Sequence, residues 1–302
     1  MPNRLRNALS ATLLVLACLL APCGTLAAWA VHGVGDTGRY VAAMAPLAAD
    51  PDVRNAFAQA VGDGVVDEVA AGPMRGTVRL FVHDAARSFT GTEAFRAGWD
   101  AAHRTVHGAV LSALRDDGAY GRPVTVDLSP VTARVKHQLA QDRVPFAHRI
   151  PVRPTAVTVL PAAEADRLRK GYRVLDVAAL WLPLAAVVFA VAGIALATRR
   201  RRAVTAAGLG TALGGALLGL AVVIGRRLTL SELPGAVHGP AAGAVYDALT
   251  ATLRTTAWLL VGLGLTVALA SWLTGRYGPA RRRRTAAEQT PGPVPPPTRA
   301  RL

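Results

Sequence analysis

The chain is 302 residues long, carries a formal net charge of +15 and is 52% hydrophobic, with a mean hydropathy of +0.31. That apolar content is high for a soluble protein, while a pI near 11.3 is shared by nucleic-acid binders and membrane proteins, so the placement of the charge decides between them. The excess is almost all arginine, Lys136 and Lys170 being the only lysines, and no aromatic-basic interleaving or recognised motif argues for nucleic acid as a partner.

Residues 1–8 carry Arg4 and Arg6, and residues 9–31 are apolar. This segment reads as a first transmembrane helix. It also has the form of a signal peptide, with Ala28-Trp29-Ala30 as an A-x-A cleavage pattern. Leu20-Ala21-Pro22-Cys23 looks like a lipoprotein box, but Pro22 sits where a small residue is expected. A retained span is the favoured reading, and in each case the following segment lies outside the cytoplasm. The only cysteines, Cys18 and Cys23, fall in this span, so residues 32–173 must hold together by their core alone.

Residues 32–173 read as an extracytoplasmic α+β domain, mostly helical with a small sheet. Asp36 or Thr37 caps a helix from Gly38 to about Ala48, and Asp50-Pro51-Asp52 opens another with Val53, Phe57, Ala60 and Val61 on one face. Val78, Phe81, Val82, Ala85 and Phe89 keep helical spacing. Thr90-Gly91-Thr92-Glu93 reads as a capping box that starts the next helix, with Phe95, Trp99, Ala102, Val106, Val110 and Ala113 as its apolar face and Asp117-Gly118 as its end. Pro123 to Leu128 and Thr155 to Leu160 read as strands around a helix opened by Ser129-Pro130. That order allows a small parallel pair. From Pro161 a helix through Leu168, Tyr172 and Leu175 is expected to run unbroken into the next span.

Three further apolar runs follow: residues 174–197, whose one charge is Asp176, and residues 203–225 and 255–274, which have none. About 20 residues at 1.5 Å each cover a hydrocarbon core of roughly 30 Å. The fold class expected is thus an α-helical membrane protein with four spans plus an extracytoplasmic α+β domain. Residues 198–202, with Arg199, Arg200, Arg201 and Arg202, form a turn, and residues 226–254 form a loop with an amphipathic helix from Pro240 to Arg254. Val245, Leu249 and Thr252 share a side of that helix and are expected to touch the exported domain. Residues 275–302, with Arg281, Arg282, Arg283 and Arg284 and a proline-rich end, read as a disordered tail.

The first eight residues, the arginine turn and the tail hold 13 basic residues, against three (Arg226, Arg227 and Arg254) in the short loop on the other side. Arginine-rich short segments stay in the cytoplasm, so both termini and the turn are placed there, in a multi-pass protein of the cell membrane. The same arginines form a juxtamembrane belt that favours anionic lipid. Within the third span, Gly210/Gly214 and Gly215/Gly219 are small-xxx-small pairs, expected to pack closely against a neighbouring helix. Packing within the monomer is favoured over a homo-oligomer face.

Chemistry is sparse. Asp100, His103 and His107 share one helix face at spacings of three and four, with Arg96 alongside, and His at i, i+4 can bind zinc. No H-E-x-x-H is present, and the three flank an apolar face where polar borders normally lie, so a hydrogen-bonded structural border is the favoured reading. His83-Asp84 lacks the other elements of a phosphohydrolase site. Ser88 lacks a G-x-S-x-G frame, and Asp36-Thr37-Gly38 lacks the second motif of an aspartic protease. No cofactor motif is read.

The layout resembles uncharacterised integral membrane proteins of high-GC Gram-positive bacteria. The resemblance is carried by Asp36-Thr37 through Asp50-Pro51, by Ser88 to His107 with Phe95, Trp99 and His103, and by Val126-Asp127-Leu128-Ser129-Pro130. It implies one N-terminal span, an exported α+β domain and three further spans, and no activity. The function expected is that of a non-enzymatic envelope protein: a sensor, scaffold or partner in assembly. The alternatives are a small transporter or channel, which the near absence of charge within the spans disfavours, and an exported metal-dependent enzyme using Asp100, His103 and His107.

Overall fold

An apolar helix, α1 (Asn3–Ala28), opens the chain and passes into a π-helical turn, Trp29–Val34. The computed structural model describes residues 3–69, 75–116, 118–144, 147–149, 151–154, 156–231 and 238–288. Eight further helices follow: α2 (Thr37–Met44), α3 (Pro51–Val69), α4 (Arg75–Thr90), α5 (Glu93–Arg115), α6 (Ser129–Gln141), α7 (Ala162–Leu196), α8 (Arg200–Ser231) and α9 (His238–Glu288). Two strands, β1 (Val124–Asp127) and β2 (Ala156–Leu160), and two 3-10 turns, Ala45–Ala49 and Ala147–Arg149, complete the described elements. Four stretches, Arg4–Val34, Ala162–Leu196, Arg200–Ser231 and Gly239–Thr274, are long and apolar enough to cross a membrane. The chain forms two compact units.

The first unit takes Met1–Ala21, Ala185–Ala216 and Trp258–Leu302. Small residues bring its helices together. Gly208 of α8 and Gly264 of α9 face each other so closely that a Cβ on Gly208 would lie 2.7 Å from the Gly264 carbonyl oxygen, and one on Gly264 2.5 Å from the Ala212 nitrogen. Close backbone approach is what makes such crossings stable where hydrocarbon surrounds the helices. Gly210 abuts Cys18, and Gly214 and Gly215 are buried, so these three glycines are occupied within the monomer. Ser10 Oγ donates to the Gly193 carbonyl at 2.6 Å, and Leu14 packs on Ala197 and Ala203. The link between α7 and α8 is only Ala197–Arg199. Three of the four arginines expected in a turn thus open α8 instead, arginine being a good helix former.

The second unit takes Pro22–Leu184 and Leu217–Ala257. Asp36 caps α2 as expected, its carboxylate accepting the Arg39 N–H at 2.8 Å. A 3-10 turn, Ala45–Ala49, then leads to Asp50, which accepts from the N–H groups of Asp52 and Val53. The cap of α5 is Thr92, not Thr90: Thr92 Oγ1 accepts the Phe95 N–H at 3.2 Å. Thr90 is the last residue of α4, and its hydroxyl donates to the Arg87 carbonyl at 2.8 Å. A helix already holding Thr90 leaves Gly91 as the break and Thr92 as the first free cap. On the far side α5 ends at Arg115 with Asp116 as its cap; the expected stop at Asp117 lies outside the described residues.

The strands pair antiparallel, with Val126 opposite Val157 and Asp127 opposite Ala156, which corrects the parallel reading. The chain leaves β1 at Asp127, runs out about 20 Å along α6 and returns past Ala147–Arg149 to enter β2 beside its point of departure. Val124 and Val126 turn inward, and β1 and α6 both lie against α5.

Helix α7 runs from the globular region into the apolar stretch without a break, as expected. Its Arg169, 1% exposed, donates to the Ala113 carbonyl at 2.8 Å, pairs with Asp166 and lies over the Tyr120 ring. Where α1 and α7 cross, a Cβ on Gly24 would lie 2.8 Å from the Pro183 nitrogen.

Gly219 of α8 corrects the expectation of a second close glycine pair. It is half-buried, and a Cβ there would lie 4.0 Å from the Ala257 Cβ, an ordinary van der Waals contact. A methyl group would be accommodated between α8 and α9 at this level, so Gly219 is not required for close packing as Gly208 and Gly264 are. The N-terminal part of α9 is the amphipathic stretch foreseen around Pro240 to Arg254. Its Val245 and Leu249 pack on Met44, Leu47 and Val53, with Tyr40 and Trp99 beside them, whereas Thr252, expected on the same side, is exposed and the neighbouring Leu253 is the buried residue. At the other end α9 continues to Glu288, so residues 275–288 are helical and not a disordered tail; their alanines and arginines favour helix, and the proline-rich stretch begins only later.

Candidate functional site

The border residues of α5 meet the start of α2. Tyr40 stacks on His107, ring centres 4.1 Å apart and planes 13° from parallel. Its hydroxyl pairs with His103 Nδ1 at 3.1 Å. Trp99 lies 4.5 Å from His103 and donates its indole N–H to the Met44 carbonyl at 3.0 Å. Spacing along α5 places Trp99, His103 and His107 one turn apart, so a single helix face presents all three to α2.

His107 is held at both ring nitrogens. Nε2 lies 2.9 Å from the Val34 carbonyl, which can only accept, so Nε2 carries the proton. Nδ1 is then the acceptor for the Thr37 hydroxyl at 3.2 Å. Burial lowers the pKa of His107 and Arg115 adds to this, while the Val34 hydrogen bond and Asp36 oppose it. Burial also lowers His103, reinforced by His107 and opposed by Asp100. Both rings therefore favour the neutral form, and burial holds the Tyr40 phenol above its ordinary value.

Beside this cluster is a cleft of about 420 Å³ lined by His32, Asp36, Arg39, Arg115, Tyr172 and Asp176 among others. Its arginines act as struts. Arg115 donates to the Gly35 carbonyl at 3.0 Å and to the Tyr172 hydroxyl at 3.1 Å, and Arg39 donates to the His32 carbonyl at 3.1 Å. Away from the cluster, His83 of the His83-Asp84 doublet pairs with Asp63 at 3.2 Å, tying α4 to α3.

Among the described residues no group of three His, Cys, Asp or Glu side chains is placed to hold a metal ion. The structure brings His103 and His107 together around Tyr40. What the arrangement does chemically is to fasten α5 to α2 and to the π-helical turn. Tyr40, Thr37 and the Val34 carbonyl were not foreseen as partners of the histidines. An i, i+4 histidine pair shows its helix face but not the element that covers it.

No protein-family model matches the chain, and neither curated proteins nor solved structures show a significant match to it. The fold itself defines a mostly helical chain with four helices suited to a membrane and a small two-stranded sheet.

Proposed function

We propose that the chain is a non-enzymatic, multi-pass protein of the cell membrane, a scaffold or sensor, with both termini in the cytoplasm and the region between α1 and α7 outside it. The orientation follows from the arginine asymmetry between the short segments. One observation carries the scaffold reading: the globular region and α9 share a core. Met44, Leu47 and Val53 pack on Val245 and Leu249, and the Trp29 indole N–H donates to the Leu249 carbonyl at 3.2 Å. A partner that binds the outer region thereby acts on a helix continuous with an apolar span. The candidate site supports the same reading, because its polar atoms are engaged in joining elements. The resemblance to uncharacterised integral membrane proteins of high-GC Gram-positive bacteria agrees with this architecture and implies no activity.

Mild crosslinking in intact cells, followed by purification of the full chain and identification of what accompanies it, tests the proposal. A specific envelope protein, captured by the wild type and lost when Val245 and Leu249 are changed to serine, is the expected result. Stoichiometric zinc in the purified protein, lost in His103→Ala, would replace the scaffold with the metal-dependent enzyme.

A further inference from the structure

The segments of the first unit contain 13 arginines and a single acidic residue, Glu288. Five of the arginines converge. A cleft of about 660 Å³ is walled by Arg6 of α1, Thr198 of the turn, and Arg199, Arg200, Arg201 and Arg202. Arg6 is braced by donating to the Leu196 carbonyl at 3.3 Å, and Arg201 by donating to the Thr274 carbonyl at 3.0 Å. Donation to a carbonyl neutralises no charge, and the only acid in these segments is Glu288, so the balancing anions come from outside the unit. The start of α8 adds to the field. The Ala203 N–H bonds the Arg199 carbonyl, which leaves the N–H groups of the first helical residues without an intrahelical partner.

A second feature says which anion suits the site. A groove of about 560 Å³ shares Arg201 and Arg202 with the cleft and continues past Thr205, Ala206 and Leu209 of α8 to Trp272 of α9. Seven residues separate Arg202 from Leu209, about 10 Å along the helix. A free anion has no use for such a track, whereas an acyl chain does.

We infer that the cleft and its groove bind one anionic phospholipid, the phosphate on the arginines of the α7–α8 turn and Arg6, and an acyl chain along Ala206, Leu209 and Trp272. Basic pockets between membrane helices bind lipid headgroups by this combination of charge and shape. The inference rests on the proposed reading in one respect, that this end of the helices lies at headgroup level.

The test uses the full chain purified in a mild detergent, with phosphatidylglycerol, phosphatidylcholine and inorganic phosphate as separate probes. Bound lipid is counted by native mass spectrometry and stabilisation by the shift in Tm. Phosphatidylglycerol is expected to remain bound one per chain and to raise Tm, while the other two do neither. Arg200→Gln and Arg202→Gln should each weaken binding about fivefold, the equivalent of ~1 kcal/mol per arginine. Ala206→Phe, at an exposed position in the groove, should weaken it with every arginine in place, and Arg227→Gln should leave it unchanged. Equal retention of the two lipids overturns the inference. So does a Tm shift from inorganic phosphate matching that from phosphatidylglycerol and indifferent to Ala206→Phe, which would make this a free-phosphate site. Binding in detergent does not depend on orientation in the cell, so an inverted topology refutes the proposed orientation without touching this result.

Discussion

Emptying the centre of the α5 face should loosen the globular region far more than removing a histidine from its border. Phe95 is 3% exposed and meets Phe57 edge-on at 5.0 Å, Phe89 at 6.0 Å and Trp99 at 5.9 Å. Phe95→Ala deletes a ring from a filled site and should cost about 3–5 kcal/mol. His103→Ala loses one neutral hydrogen bond to Tyr40 and should cost about 0.5–1.5 kcal/mol. Trp99→Ala should fall between them, since its ring is half-buried but holds the Met44 carbonyl. Hydrogen exchange of α5 amides in the detergent-solubilised full chain reads these differences as rates of local opening. At tenfold per 1.4 kcal/mol, exchange should speed up about 150- to 4,000-fold for Phe95→Ala and about 2- to 12-fold for His103→Ala. Equal acceleration by the two changes, or zinc that slows exchange in the wild type only, would refute the reasoning.

Acidity should weaken the same region. The lowered pKa values of His103 and His107 mean that the unfolded chain binds more protons below about pH 6.5, so stability falls as pH drops from 6.5 toward the folded pKa values, and a His103→Gln/His107→Gln variant should flatten that slope of Tm against pH. At the α8–α9 crossing, Gly264→Ala forces a Cβ onto the backbone of Ala212 and should destabilise by about 1–3 kcal/mol, while Gly262→Ala, which meets open space, should be neutral or slightly stabilising; thermal melts of the two variants compare them directly. In a background without Cys18 and Cys23, a cysteine replacing exposed Arg122 should react with an impermeant thiol reagent in intact cells, and one replacing exposed Thr198 should not. Labelling of the Thr198 replacement without permeabilisation would overturn the proposed orientation.

Local signals in the sequence served well where the structure uses them locally. Asp36 caps α2 because an aspartate before a helix needs no distant partner, and the apolar runs mark helices because their length is a property of the segment itself. The facing of Val245 and Leu249 was legible from their spacing. Two caps in one short stretch were harder: Thr90 and Thr92 both suit the role, and only the extent of α4 chooses between them. Strand direction was not legible, because the return path of the chain between Gln141 and Ala156 sets it. Glycine spacing misled in part, since it marks where a helix can be approached closely and not where a neighbour does so. Gly219 completes a small-xxx-small pair yet meets only Ala257 at ordinary distance, while the tightest contact of α8 with α9 uses Gly264, a residue outside any repeated glycine pair of its own helix. Asp100, His103 and His107 were grouped by spacing, but their surroundings came from α2 and the turn before it.

The π-helical turn bears on whether the first helix stays attached to the chain. The bond after Ala30, where the A-x-A pattern would direct cleavage, lies inside that turn. The Ala30 carbonyl accepts the Gly35 N–H at 2.9 Å, and neighbouring Trp29 is tied to Leu249 more than two hundred residues later. Cleavage at this bond would need the backbone unwound from that turn and Trp29 released from Leu249. Any cleavage there would have to precede the arrival of Leu249 from α9; once the Trp29–Leu249 bond is made, the folded chain keeps its first helix, in line with the retained span proposed above.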